Sequence, residues 1–168
     1  LADKIRKLDF IEDDDLAHSS EHSIEVQLPF LQHRFKSFRF VPVCIMNIRY
    51  TDDFLYKCQS LGKTIASILH KKEVGVIASS DFSHYLPQNV ADMKDEAALE
   101  KILNLDIRQF FRKLEEVDAS VCGFGPIAVV MSGAKELGLK AKLIHKSSSG
   151  DTTGDHNAVV SYYALGFY

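Results

Sequence analysis

The segment Val74-Gly75-Val76-Ile77-Ala78-Ser79-Ser80-Asp81-Phe82-Ser83-His84 constrains the fold more than any other stretch of the chain. Its opening residues lack the polar alternation of a half-exposed strand. A strand here would be buried on both faces, the pattern of a parallel sheet covered by helices. Polar side chains then arrive together: Ser79, Ser80, Asp81, Ser83 and His84. In an open parallel sheet, ligands gather beyond the carboxyl ends of the strands, so these groups are expected at the edge where chemistry takes place.

The flanking sequence alternates helix and strand signals. Ile24, Leu28, Leu31 and Phe35 recur at helical spacing, and Pro29 among them requires either a kink or a helix that begins close to it. Phe38 to Ile48 reads as a strand, followed by Thr51 as a helix N-cap with Asp52 and Asp53 in the first turn. That helix continues to about His70 through a stripe that includes Phe54, Leu55, Cys58, Leu61 and Ile65. Further helices are expected over 89–105, 107–117 and 121–138, with Gly138 as the C-terminal stop. Lys140 to Ser148 and Ala158 to Tyr168 read as closing strands. The fold expected is therefore α/β, with a mainly parallel sheet sandwiched by helices, in a single domain over residues 1–168.

The 168 residues carry a net charge of −3, with no basic stripe of the kind that displaces counterions from nucleic acid. Lys71-Lys72 reads as a solvated helix end. The three cysteines, Cys44, Cys58 and Cys122, form no C-x-x-C pair. A disulfide framework or zinc knuckle is not indicated, and a cytoplasmic location is expected. No apolar run approaches the roughly 20 residues that span a bilayer, so no membrane partner is expected.

Three constellations could carry chemistry. Asp81 and His84, three residues apart, can converge if the loop turns, giving an imidazole oriented by a carboxylate. The plainer reading is that Ser80 or Asp81 caps a helical turn and His84 is merely exposed. In His18-Ser19-Ser20-Glu21-His22-Ser23-Ile24-Glu25, Glu21 and Glu25 stack on one face of a beginning helix while His22 can point elsewhere, and Ser19 or Ser20 as an N-cap with acidic residues in the first turn explains most of the stretch without function. Cys122, just before Gly123-Phe124-Gly125-Pro126, stands near a helix N-terminus that favours a thiolate, though a cysteine is also an ordinary core residue. If all three reach one edge, His22, Asp81, His84 and Cys122 make a nitrogen, oxygen and sulfur donor set suited to a transition metal.

The stretches EHSIEVQLPFL, SSDFSHY and CGFGPI, in this order, resemble the Memo family, also known as AmmeMemoRadiSam system protein B. That family's fold is similar to the LigB-like class III extradiol dioxygenases, which are non-haem iron enzymes. The resemblance implies a metal-centred pocket with Cys122 as a metal ligand, His22, Asp81 and His84 as catalytic residues, and iron or copper as the cofactor. It implies redox chemistry on an unknown small molecule, or alternatively a non-catalytic module that binds a ligand or peptide on a dioxygenase-like fold. It also implies that this chain is the C-terminal portion of the family's full domain. The N-terminal part, with a Pro-His-Ala-Gly stretch and further histidine ligands, would lie outside it. Self-association or a companion chain is then expected to cover the sheet edge left open.

Overall fold

The computed structural model describes residues 1–46, 48, 50–69 and 74–168. His70 and the Lys71-Lys72 pair lie outside the described residues. The chain divides into two compact units, Leu1–Met46 and Asn47–Tyr168.

The first unit is built from short helical pieces: α1 (Ala2–Ile5), α2 (Asp15–Ser19), a 3₁₀ turn (Glu25–Gln27) and α3 (Leu28–Arg34). The Asp14 carboxylate accepts the Ala17 amide at 3.0 Å and so starts α2. Pro29 stands in the first turn of α3, where its missing N–H has no helical acceptor to lose. A helix beginning close to Pro29 is thus the form taken. The Cys44 sulfur contacts His18 Nδ1 at 3.1 Å. The described residues of the run from Phe38 to Ile48 form no ladder, in contrast to the strand expected there.

The second unit contains α4 (Asp52–Leu69), β1 (His84–Leu86), α5 (Gln88–Leu103), α6 (Ile107–Glu116), α7 (Phe124–Glu136), β2 (Ala141–Ser148), α8 (Gly150–Thr153) and β3 (Val159–Phe167). Thr51 caps α4, its hydroxyl accepting the Phe54 amide at 3.1 Å, and Gly138 follows α7 with a left-handed φ of 68°. Helices α4 and α7 meet through small residues. A Cβ on Gly62 would collide with the Val129 carbonyl oxygen and lie 2.6 Å from Ser132 Cβ. Phe111 gathers the aromatic core, stacking on Tyr50 at 5.0 Å and meeting Phe54 and Phe124 edge-on at 5.8 and 5.9 Å.

The three strands form a sheet in the order β1-β3-β2, and both pairings are antiparallel. Helices with a small antiparallel sheet are therefore what the described residues show, and the parallel ladder expected from the Val74 run is not among them. Residues 74–81 carry no strand assignment, and Val76 and Ile77 remain 39% and 56% exposed. Apolar patterning identifies a segment suited to burial but does not name its partner, which explains why the two closing strands were legible and their direction was not.

Candidate metal centre

The polar cluster is delivered by a two-residue bridge to the central strand. Phe82 N–H donates to the Ser161 carbonyl and Ser161 N–H to the Ser83 carbonyl, each at 3.0 Å. Phe82 is buried against Tyr163, with ring centroids 4.4 Å apart, which anchors the segment while its neighbours turn outward. His84 then pairs with Val160 and Leu86 with Val159, so Tyr85 is an extra residue, and it has a φ of 56°. This bulge bends the strand beside the site, and a non-glycine residue in that conformation stores backbone strain.

Cys122 is docked onto this segment by main-chain bonds in both directions. Its N–H donates to the Asp81 carbonyl at 3.2 Å, and the Asp81 N–H donates to the Cys122 sulfur at 3.1 Å. One residue on, the Gly123 amide donates to the Ser80 hydroxyl at 2.8 Å, so a side chain from another segment satisfies an amide at the start of α7. A Cβ at position 123 would fall 2.5 Å from Ser80 Cβ and 2.7 Å from the Ser79 carbonyl oxygen. Only glycine permits this approach, and the approach is what sets Cys122 beside Asp81.

Ser120 fixes the imidazole. The His84 N–H donates to the Ser120 hydroxyl at 3.0 Å, and His84 Nδ1 lies 2.9 Å from the Ser120 carbonyl oxygen. A carbonyl only accepts, so Nδ1 carries the proton in this bond and the neutral ring presents its lone pair at Nε2. That Nε2 lies 3.7 Å from Asp81 Oδ2. One donor atom from each of Asp81, His84 and Cys122 falls within 4.8 Å of the others. Two donors bound to one ion at about 2.0–2.3 Å stand roughly 3.3–3.8 Å apart in tetrahedral geometry, so the histidine and aspartate already have the required separation. Asp81, His84 and Cys122 therefore make a possible metal-binding group. A cleft of ≈ 450 Å³ adjoins it, with Cys122 and Ser120 on its wall beside Tyr50, Phe111 and Phe124.

A model of the Memo-like protein family matches residues 1–166. The chain belongs to the Memo-like family. Among the family's curated members, the chain is 44% identical over 156 residues to a MEMO1 family protein of Methanosarcina barkeri, covering 90% of this chain and 57% of that relative. It is 41% identical over 166 residues to a MEMO1 family protein of Sulfolobus acidocaldarius, covering 97% and 57%. Against one from Pyrobaculum aerophilum it is 44% identical over 163 residues, covering 94% and 56%. The chain thus spans a little over half the length of these Memo-like relatives.

Of the residues singled out from sequence, Asp81, His84 and Cys122 come together. His22 belongs to the first unit, where its Nδ1 lies 2.8 Å from Glu25 Oε1. Around it, the turn is capped by neither Ser19 nor Ser20 but by Glu21, whose carboxylate accepts the Ser23 and Ile24 amides at 2.6 and 3.3 Å. Burial raises the Glu21 pKa, but these bonds outweigh it and hold the carboxyl below its usual range. Cys58 is buried, and burial pushes its thiol up to about 12, as suits a packing residue. Sequence reasoning passed over Ser120, which carries no motif of its own. It also passed over Asp95, which the inward stripe of α5 could have exposed as a carboxylate among Ala91, Ala98, Leu99 and Ile102.

Proposed function

We propose that this Memo-like chain holds a transition-metal ion, iron or copper, on Asp81, His84 and Cys122, and that the site serves metal-dependent redox chemistry on a small molecule in the adjoining cleft. The observation that carries the proposal is the Ser120 carbonyl acceptor at His84 Nδ1, because it leaves Nε2 unprotonated and turned toward Asp81 and Cys122. When bound, such an ion supplies Lewis acidity and a one-electron couple.

The chain's own residues have distinct tasks. Ser120 fixes the His84 tautomer, and the Asp81 amide and Gly123 turn place the Cys122 sulfur. Asp81, whose carboxylate lies 3.7 Å from His84 Nε2, orients the imidazole, and His84 is a proton-moving group of the proposal. Tyr50, Phe111 and Phe124 give the cleft an aromatic wall suited to a flat apolar body.

The run from Val74 to Ala78 supports a further part of this reading. It is apolar and partly exposed, and an apolar groove of ≈ 170 Å³ lies along it between Ile77, Phe82, Ile127 and Leu165. The family relatives carry additional length equal to nearly half of theirs. We propose that a strand from that additional length pairs with this run, restoring the parallel sheet and supplying further metal ligands.

Cobalt(II) titration of the chain tests the site. Binding with a sulfur-to-cobalt charge-transfer band, weakened at least about tenfold in Cys122→Ser and in His84→Ala, agrees with the proposal. Binding that is indifferent to both substitutions contradicts it.

A further inference from the structure

Asp95 is fully buried on the inward face of α5, an unusual place for a carboxyl, because removing one from water is costly unless its hydrogen bonds are replaced. Among the described residues, its two well-formed hydrogen bonds both go to Ser83. Oδ1 accepts the Ser83 amide at 3.1 Å and the Ser83 hydroxyl at 2.7 Å. Among the described residues, Oδ2 and the buried hydroxyls of Ser161 and Tyr163 make no hydrogen bond of good geometry, although the Ser161 hydroxyl lies near enough to favour the ionised carboxylate.

Ser83 is the residue between the site's two chelating positions, with Asp81 two residues before it and His84 immediately after. It is fully buried, and its carbonyl accepts Ser161 N–H at 3.0 Å. The backbone at Ser83 is thus gripped from the sheet by Ser161 and from the helix layer by Asp95. Directly beyond this clamp the chain enters the strained bulge at Tyr85. A segment that stores strain next to a site keeps one conformation only when its surroundings determine it.

We propose that Asp95 is the positioning residue of the Asp81, His84 and Cys122 cluster, fixing through its two bonds to Ser83 the backbone that sets the approach of Asp81 and His84 to the Cys122 sulfur. In one of its readouts this inference rests on the metal reading above. It touches neither metal nor substrate and acts only through Ser83.

The test compares wild type with Asp95→Ala, Asp95→Asn and Ser83→Ala in the whole chain. The readouts are amide exchange at Ser83, the His84 Nδ1 proton resonance, and the cobalt(II) dissociation constant. In Asp95→Ala, Ser83 exchange should accelerate well beyond the change at Tyr163 on β3, the His84 signal should broaden, and cobalt binding should weaken roughly ten- to a hundredfold. Asp95→Asn keeps an acceptor oxygen and should restore all three toward wild type. Exchange and cobalt binding that stay unchanged in Asp95→Ala, or that change only in step with global unfolding, overturn the proposal. If Asp95→Ala does not fold, Ser83→Ala removes one of the two bonds and should shift the same readouts in the same direction; no shift overturns the proposal equally. If wild type binds no cobalt, the metal reading fails, and the Ser83 and His84 signals alone decide for or against Asp95.

Discussion

The carbonyl oxygen of Ser120 lies 2.9 Å from Nδ1 of His84, and the hydroxyl of the same serine accepts the His84 amide at 3.0 Å. One residue therefore fixes both the ring and the backbone of a histidine 36 positions away in sequence. The two bonds have separable consequences. Ser120→Ala removes the hydroxyl but keeps the carbonyl, so folding stability should fall by about 0.5–1.5 kcal/mol while the Nδ1–H tautomer persists. Chemical denaturation gives the first quantity and nitrogen-15 shifts of the His84 ring the second. A switch to the Nε2–H tautomer would contradict the role assigned to the carbonyl.

Gly123 and Gly62 should both resist alanine on steric grounds, and at Gly62, inside α4, this opposes helix propensity. Alanine at position 62 gains roughly 1 kcal/mol of intrinsic helix preference over glycine. Its Cβ would nevertheless collide with the Val129 carbonyl and approach Ser132 Cβ to 2.6 Å, and overpacking of this kind typically costs about 1–3 kcal/mol. Net destabilisation is expected in Gly62→Ala, with cobalt binding retained. Gly123→Ala displaces Ser79 and Ser80 and should also impair cobalt binding. Thermal melts and cobalt titrations of the two variants distinguish the structural glycine from the one that builds the site.

Asp95 gives the pH dependence a sign. Burial raises its carboxyl pKa, opposed by the Ser83 and neighbouring Ser161 hydroxyls and Ser83 amide, with Asp92 adding to the rise. Tyr163 and Lys146 also bear on this region, the former pushed up to about 12, chiefly by burial and next by Asp95. A carboxyl raised on folding gives its full stabilising contribution below its unfolded pKa and loses it as pH rises through the folded value. Asp95→Asn does not titrate, so its stability relative to wild type should climb across that window and level off above it. Urea midpoints from pH 3 upward measure the difference; a flat difference would contradict a raised Asp95 pKa.

Cys58 and Cys122 should differ in access to alkylating reagents. Cys58 is 3% exposed and its thiol stays protonated at neutral pH, whereas Cys122 is exposed. Iodoacetamide added to the folded chain should leave Cys58 unmodified until denaturant is present, as peptide mass spectrometry would show. Native-state labelling of Cys58 at the rate seen in the unfolded chain would contradict its burial.

Much of the helical scaffold was legible because it is written locally. Thr51, Pro29 and Gly138 mark element ends by chemistry that acts within a few residues, and the helices at 52–69, 88–103 and 107–116 follow from apolar spacing. The convergence of Asp81 and His84 was legible too, since three residues can turn. Strand direction was not, because the Val74 run advertises burial without specifying what covers it. Ser120 and Asp95 escaped for a related reason. Each acts through a contact made only after folding, Ser120 over 36 residues and Asp95 over 12, and neither belongs to a recognisable motif.

The central claim is that Asp81, His84 and Cys122 bind one ion together, and X-ray absorption at the metal edge of the loaded chain tests it most directly. One sulfur at about 2.3 Å with nitrogen and oxygen neighbours at about 2.0–2.2 Å is the predicted shell, with the sulfur lost in Cys122→Ser. A shell of nitrogen and oxygen alone in the wild-type chain, unchanged by that substitution, would contradict it.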